Sequence, residues 1–296
     1  MSTATSTSST PVRRGEPRWH NLSGSRVRVS DVSRTAFLTA VALVVLIPIV
    51  WTVLGSFKSP TELAQSPPTL LPESFGLDNY TTALSSFNFP RYLFNSFFVV
   101  AVATALTLVI NSMAAYALAK FNFRGRDFLF LTTLATIMIP LQVIFIPVYQ
   151  VVASLGLVNS LWGMIIPAAA TPTGVFLLRQ YMLTIPDELI EAARIDGAGE
   201  FRIFLRVVLP LCKPALAVVA IFSIIWRWND FLWPLIIAQS EDVYTLPVAL
   251  SRFAGQEVVP FNLILAMSVV SMLPVVILFL FFQRQIAQGI ASTGLK

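Results

Sequence analysis

The sequence predicts an all-α integral membrane protein with six transmembrane helices. Three observations lead there. Of its 296 residues 56% are hydrophobic and only 12% are charged, whereas a soluble globular chain carries about 25% charge. Six segments are apolar over the roughly 20 residues that a helix rising 1.5 Å per residue needs to cross a hydrocarbon core of about 30 Å. Lysine and arginine, finally, gather in alternate connections between those segments, which is the signature of a fixed orientation in a membrane.

The first 33 residues read as a disordered cytoplasmic tail. The opening MSTATSTSST is rich in serine and threonine, and Arg13, Arg14, Arg18, Arg26 and Arg28 follow; such a stretch cannot bury enough apolar area to offset its ordering entropy. The apolar run after Arg34 is too long for a signal-peptide core and lacks a small-x-small exit, so it reads as an uncleaved first span. Residues 34–296 then form the membrane domain. The single cysteine, Cys212, excludes an intrachain disulfide and a cysteine-rich metal site, and the single histidine, His20, lies in the polar tail. Neither a bound metal nor a nucleic-acid partner is expected.

The spans are expected at 36–57, 93–118, 128–151, 161–182, 216–237 and 262–282. The first and last are nearly uniformly apolar. The third is interrupted by Pro140 and Pro147 and the fourth by Pro167 and Pro172; each proline removes a backbone donor and clashes with the preceding turn. Such kinks are tolerated where neighbouring protein satisfies the freed carbonyls, so they are expected to face protein or a cavity. With the N-terminus in the cytoplasm, the tail, the loops after spans two and four and the C-terminus hold 16 of the 20 basic residues. Lys58, Arg91 and Arg252 fall outside, and Arg227 lies inside span five. Both termini are therefore expected in the cytoplasm. In span two, Asn111 and Ala115 share one face, as do Ala114 and Ala117, which suits helix packing through small and polar residues.

The connection 183–213 is the longest on the cytoplasmic side and is patterned. Thr184 can cap a helix with Pro186 in its first turn and Asp187 three residues on, and Asp187 and Glu188 suit the positive end of its dipole. Helix formers continue to Ile195, with an uneven apolar face of Leu189, Ala192, Ala193 and Ile195; Gly197 is a natural terminator. A second short helix over 200–208 leads to Leu209-Pro210. The small Ala192 and Ala193 offer little to lipid but allow close approach of a protein, so docking of a partner competes with resting on headgroups.

The spacing Glu191-Ala192-Ala193, Gly197, Val207, Leu209-Pro210 resembles the signature of permease subunits of ATP-binding-cassette importers, with Val207 where isoleucine is usual. Leu77-Asp78-Asn79-Tyr80, Ala114-Ala115-Tyr116-Ala117, Phe123-Arg124-Gly125-Arg126 and Trp228-Asn229-Asp230-Phe231 are similar to the carbohydrate-uptake branch, and to the G permease of the maltose importer in particular. The resemblance covers roughly residues 36–296. It implies the type I importer fold, residence in the cell (inner) membrane, and a role as one half of a pathway that moves a sugar inward.

The same resemblance implies the partners: a cytoplasmic ATPase dimer that uses ATP and Mg, a second and different permease subunit, and an extracytoplasmic solute-binding protein that delivers a small neutral sugar. No GxxxxGK[ST] phosphate loop is present in the sequence, so the chain itself is not expected to hydrolyse ATP or to bind a cofactor. The ATPase-coupling residues would be Glu191, Ala192, Ala193, Arg194, Asp196, Gly197, Arg206, Leu209 and Pro210, with Glu191 the main polar contact. External contacts are expected from 58–91, including a helix near 77–84, and from 239–261.

Span five supplies a second candidate site. A charge at membrane depth marks function; Arg227 and Asp230 are spaced i,i+3 and can pair. Trp226, Arg227, Asn229 and Asp230 are therefore assigned to the translocation pathway or a gate, with bundle architecture favoured over direct sugar contact. Other classes remain open at this stage: an importer permease for a polyamine, phosphate or amino acid, or a secondary transporter, which would not need the motif from Glu191 to Pro210.

Overall fold

The computed structural model describes residues 29–256 and 259–294, and all regular structure among them is helical. The tail expected over 1–33 falls outside the described residues up to position 28. The chain divides into two compact units, residues 1–48 and 49–296. Helix α1 (Val29–Gly55) begins in the first and ends in the second. Within the second unit follow α2 (Pro60–Leu63), α3 (Asp78–Ser86), α4 (Phe89–Lys120), α5 (Arg126–Ile137), α6 (Leu141–Ser154), α7 (Leu161–Ile165), α8 (Pro172–Met182), α9 (Asp187–Ile195), α10 (Glu200–Ile203), α11 (Leu209–Leu211), α12 (Lys213–Trp228), α13 (Leu232–Ile237), α14 (Leu246–Ala254) and α15 (Phe261–Gly294).

Among the described residues three helices are long and apolar enough to cross a membrane: 33–55, 89–120 and 261–283. Two bent pairs raise the number to five if each pair is one span. Helices α5 and α6 meet at 107°, and the segment 200–211 meets α12 at 78°. The architecture is that of a multi-pass membrane protein; the expected third and fourth segments are interrupted, and so is the fifth, for which no interruption was expected. Span three stops at Ile137 and restarts at Leu141 after Pro140, which cannot donate a backbone hydrogen bond; Pro147 is accommodated inside α6. Span four is two short helices separated by 166–171, and span five is interrupted at 229–231. Pro140 and Pro147 are both exposed on the surface of this chain, and α5 buries no residue.

The core is organised around α4. Its residues Val99, Ala103, Thr107, Asn111 and Ala115 recur at four-residue spacing and are all buried, which places them along one face. Helices α7, α8 and α12 pack against α4. The expected Asn111/Ala115 face is the one that meets α8, and Gly174 is what lets it approach. A Cβ on Gly174 would lie 2.2 Å from Asn111 Nδ2 and 2.7 Å from Thr171 Oγ1.

The segment between α1 and α4 is a folded loop. Ser59 caps α2 and shares a capping box with Glu62. The Glu62 carboxylate accepts from the Ser59 amide at 2.7 Å and reaches across to the Glu73 amide at 2.7 Å. Lys58 donates to the Thr69 carbonyl and to Thr69 Oγ1. Asn79 donates to the carbonyls of Ser56 and Lys58, at 2.8 Å each, and accepts from Asn262 at 2.7 Å. The helix expected near 77–84 is α3, and its first turn is thereby tied to the start of α15.

Two predictions follow from these contacts. Gly174→Ala should lower the stability of the purified chain by about 1–3 kcal/mol, the range for overpacking, read as a fall in thermal unfolding midpoint in detergent. The second concerns Glu62, whose carboxyl is held below its ordinary 4.5 by the amides of Ser59 and then Glu73. Its contribution is complete above pH 4.5 and is lost as the pH falls through the depressed folded value. Limited proteolysis of the 64–76 loop should therefore accelerate below pH 4.5, and Glu62→Gln should cleave faster than the parent already at pH 7.

Candidate functional site

Two polar centres stand out, and α4 serves both. The first lies at the breaks in spans four and five. Backbone amides and carbonyls freed at a helix interruption need partners, and α4 supplies them. Thr107 Oγ1 donates to the Ala168 carbonyl at 3.3 Å. Asn111 Nδ2 donates to Thr171 Oγ1 at 2.7 Å, while its Oδ1 accepts from the Thr171 amide at 3.1 Å. Both ends of the 166–171 break are thus held by one helix face.

Arg227 completes this centre. It is only 7% exposed. Nη2 donates to Thr107 Oγ1 at 2.7 Å and to the Ala168 carbonyl, and Nη1 donates to Ser223 Oγ. Ser223 Oγ in turn lies 2.8 Å from Thr104 Oγ1. The guanidinium fork therefore bridges three elements: its own helix α12, α4, and the break after α7. A planar group with five donors suits this task in a way a single ammonium does not.

The expected Arg227–Asp230 pair does not form. Helix α12 ends at Trp228, so the i,i+3 geometry that would align the two side chains is lost; the Asp230 amide instead donates to the Arg227 carbonyl at 3.3 Å. The four pathway candidates also diverge. Arg227 points inward, whereas Trp226 and Asn229 are exposed, and Asn229 Nδ2 folds back to the Ile225 carbonyl at 2.7 Å. Asp230 is half-buried and lines a small cavity together with Arg227. The inward aromatics are Trp228 and Trp233, whose indole nitrogens donate to the carbonyls of Ser271 and Gly163, each at 3.2 Å.

The second centre is the loop 183–213, which forms the two short helices expected of it. Thr184 does not cap: its hydroxyl donates back to the Tyr181 carbonyl at 2.7 Å, and Pro186 occupies the cap position of α9. Asp187 instead receives Lys120 Nζ at 2.5 Å, and the same ammonium donates to the Ile185 carbonyl at 2.6 Å. Helix α9 ends in a left-handed Gly197 (φ 75°). The Ala198 amide bonds the Ala193 carbonyl and the Gly197 amide bonds the Arg194 carbonyl, each at 3.0 Å, the Schellman pattern that reverses the chain.

Glu200 then ties the two short helices to α4. Arg194 Nε donates to its Oε1 at 2.7 Å, and Tyr116 Oη donates to its Oε2 at 3.0 Å. Arg194 foremost, with Tyr116, holds the Glu200 carboxyl below the usual carboxylate range. Beneath, Ile190, Ile203, Phe204 and Val208 join Tyr116, Leu178 and Met182 in one buried cluster. Between α10 and Pro210 the chain widens into a π-turn over Phe204–Val208; Pro210 has no amide to return to the Arg206 carbonyl.

This arrangement agrees with what comparison with known proteins finds. The family model described as binding-protein-dependent transport system inner membrane component matches residues 109–292. The chain belongs to this family. It is thereby a non-catalytic permease subunit of an ABC importer. The permease is 39% identical to the arabinooligosaccharides transport system permease protein of Halalkalibacterium halodurans, over 86% of this chain and 93% of that one. It is 32% identical to the sn-glycerol-3-phosphate transport system permease protein of Brucella abortus, over 90% and 97%. Among solved structures it is similar to a bacterial ABC transporter involved in the import of the acidic polysaccharide alginate, with a TM-score of 0.79 and 26% identity over 87% of this chain and 96% of that one.

In the permease the loop candidates form one outward surface. Glu191, Ala192, Arg194, Asp196, Gly197, Arg206 and Pro210 are exposed, while Ala193 and Leu209 are half-buried against the underlying cluster. Of Arg194, Asp196 and Arg206, only Arg194 finds an ion-pair partner among the described residues. The apolar face of α9 differs from expectation: Ile190 is the inward anchor, whereas Ile195 is 86% exposed. Beside it Phe201, 65% exposed, borders an open groove with Gly197, Leu205 and Arg206. Tyr116, Lys120 and Thr107 escaped the sequence reading because their partners are 60 or more residues away; Glu200 also has a near partner, Arg194, six residues back.

Removing the Arg227 fork should be costly. Arg227→Met, which keeps the aliphatic stem, should destabilise the chain by at least about 2 kcal/mol, since several charge-assisted bonds go and buried acceptors are left unmatched. Ser223→Ala should cost less. Thermal unfolding of the two variants in detergent gives the order.

Proposed function

We propose that this permease moves a sugar, delivered by an extracytoplasmic solute-binding protein, into the cytoplasm. It does so as one half of a membrane pathway whose other half is a second, different permease subunit. A cytoplasmic ATPase dimer supplies ATP hydrolysis and uses the Mg. In this reading the chain crosses the cell membrane six times, the broken segments 128–151, 161–182 and 216–237 each counting as a span, with both termini and the 1–33 tail in the cytoplasm. The basic residues at Lys120, Arg124, Arg126 and in 179–213 support that orientation.

The observation that carries the reading is the exposed α9–Gly197–α10 surface, built on a buried platform and tethered to α4. Glu191 and Asp196 offer charge, Ala192 allows close approach, Gly197 sets the turn, and Ile195 and Phe201 offer apolar side chains too exposed to be self-stabilising. Such a surface suits insertion into a groove on an ATPase subunit. Arg194 acts as an internal brace through Glu200. Arg227 acts on the pathway by holding the breaks in spans four and five, which places it in architecture and gating rather than in sugar contact.

Sugar as the cargo is supported by the arabinooligosaccharide relative and by the polysaccharide importer of similar fold. A polyol phosphate is the second reading, favoured by the 32% identical glycerol-phosphate relative. Uptake of labelled oligosaccharides and of glycerol 3-phosphate by cells with and without the chain separates the two: the substrate whose uptake disappears with the chain is the cargo. The coupling surface has its own test. Phe201→Ala and Ile195→Asp should each weaken ATPase co-purification roughly tenfold or more, as for central apolar interface residues, and Glu191→Lys should do the same. Retained ATPase binding and transport in all three would remove the assignment.

A further inference from the structure

We propose that the cavity between the two helix breaks is a hydration site, in which ordered water bridges Arg227 to Thr245 and Asp230. The cavity, about 20 Å³, is bounded among others by Met164, Arg227, Asp230, Trp233 and Thr245. On two of its lining residues, 7% and 4% exposed, a polar atom is buried without a partner in the protein: Arg227 Nε and Thr245 Oγ1. A donor and a hydroxyl left unmatched at membrane depth cost too much to persist without a ligand.

The lining selects the ligand. The volume suits one or two waters, a single water needing roughly 10–15 Å³, and it is far too small for a sugar ring. Arg227 brings a positive charge and Asp230 a carboxylate, so the wall is electrically balanced and favours a neutral molecule over an ion. Water is neutral and both donates and accepts. It accepts from Arg227 Nε, exchanges a hydrogen bond with Thr245 Oγ1, and donates to Asp230. The Arg227–Asp230 pair that the end of α12 prevents directly is thus restored through water. Thr245 stands at the cap position of α14 without capping it, leaving its hydroxyl free for this use. The site joins α14 to the interruptions of spans four and five.

Radiolytic hydroxyl labelling of the full-length chain in lipid nanodiscs tests this, because ordered water labels the side chains beside it. Met164 borders the cavity and is 2% exposed. Met182 and Met267 are equally buried and do not line it. Met164 should be oxidised many-fold faster than these two. Thr245→Val should slow Met164 oxidation several-fold, and Thr245→Ser, which keeps the hydroxyl, should preserve it. Met164 as protected as Met182 in the parent chain would overturn the proposal, as would unchanged labelling in Thr245→Val.

Discussion

Backbone at membrane depth has no water to bond, so every interruption of a helix there must be met by the protein. This chain interrupts two of its spans beside one another, at 166–171 and 229–231, and keeps α4 unbroken between them. The polar stripe of α4 supplies what the breaks need. Thr107 and Asn111 bond one break directly, and Arg227 reaches from the other side to bond Ala168 and Thr107 together. The close α4–α8 contact at Gly174 and the inward turn of Trp228 and Trp233 depend on that joint being satisfied.

The same helix carries the joint to the loop surface. Thr107 and Lys120 are thirteen residues apart on α4, about 20 Å along its axis. At the far end Tyr116 and Lys120 hold Glu200 and Asp187. Helix α4 thus connects the α9–α10 loop with the 166–171 segment through these side chains. Motion of the loop becomes a switch only if a docked partner binds its two positions with different affinity. The polar tethers are few and partly exposed, whereas the apolar platform of Ile190, Ile203 and Val208 is buried, which allows the loop to pivot without losing its base.

Much was legible in advance. The long apolar runs at 36–57, 93–118 and 262–282 lie within or almost within helices α1, α4 and α15, because a uniformly apolar stretch of that length has one stable form in lipid. The loop helices and the Gly197 reversal were legible too, since helix propensity and glycine's left-handed freedom are local. The failures share a cause. Thr184 was expected to cap, and Arg227 to meet Asp230. Each of these turns on where another segment lies. Thr184 lost its role to Pro186 and the Lys120–Asp187 contact, and Arg227 found partners on α4 and at Ala168 rather than three residues away.

The sequence by itself determined that this is a multi-pass helical membrane protein, and that a patterned two-helix connection lies at 183–213. Those properties follow from composition, length and short-range spacing. Only the tertiary structure decided that the helix after Lys213 breaks at 229–231, that Arg227 is a brace shared by three segments, and that Ile195 and Phe201 rather than Ile190 are presented outward. Such outcomes rest on hydrogen bonds and packing between residues 60 to 120 positions apart, whose partners are chosen by the shape of the bundle and not by their neighbours in the chain.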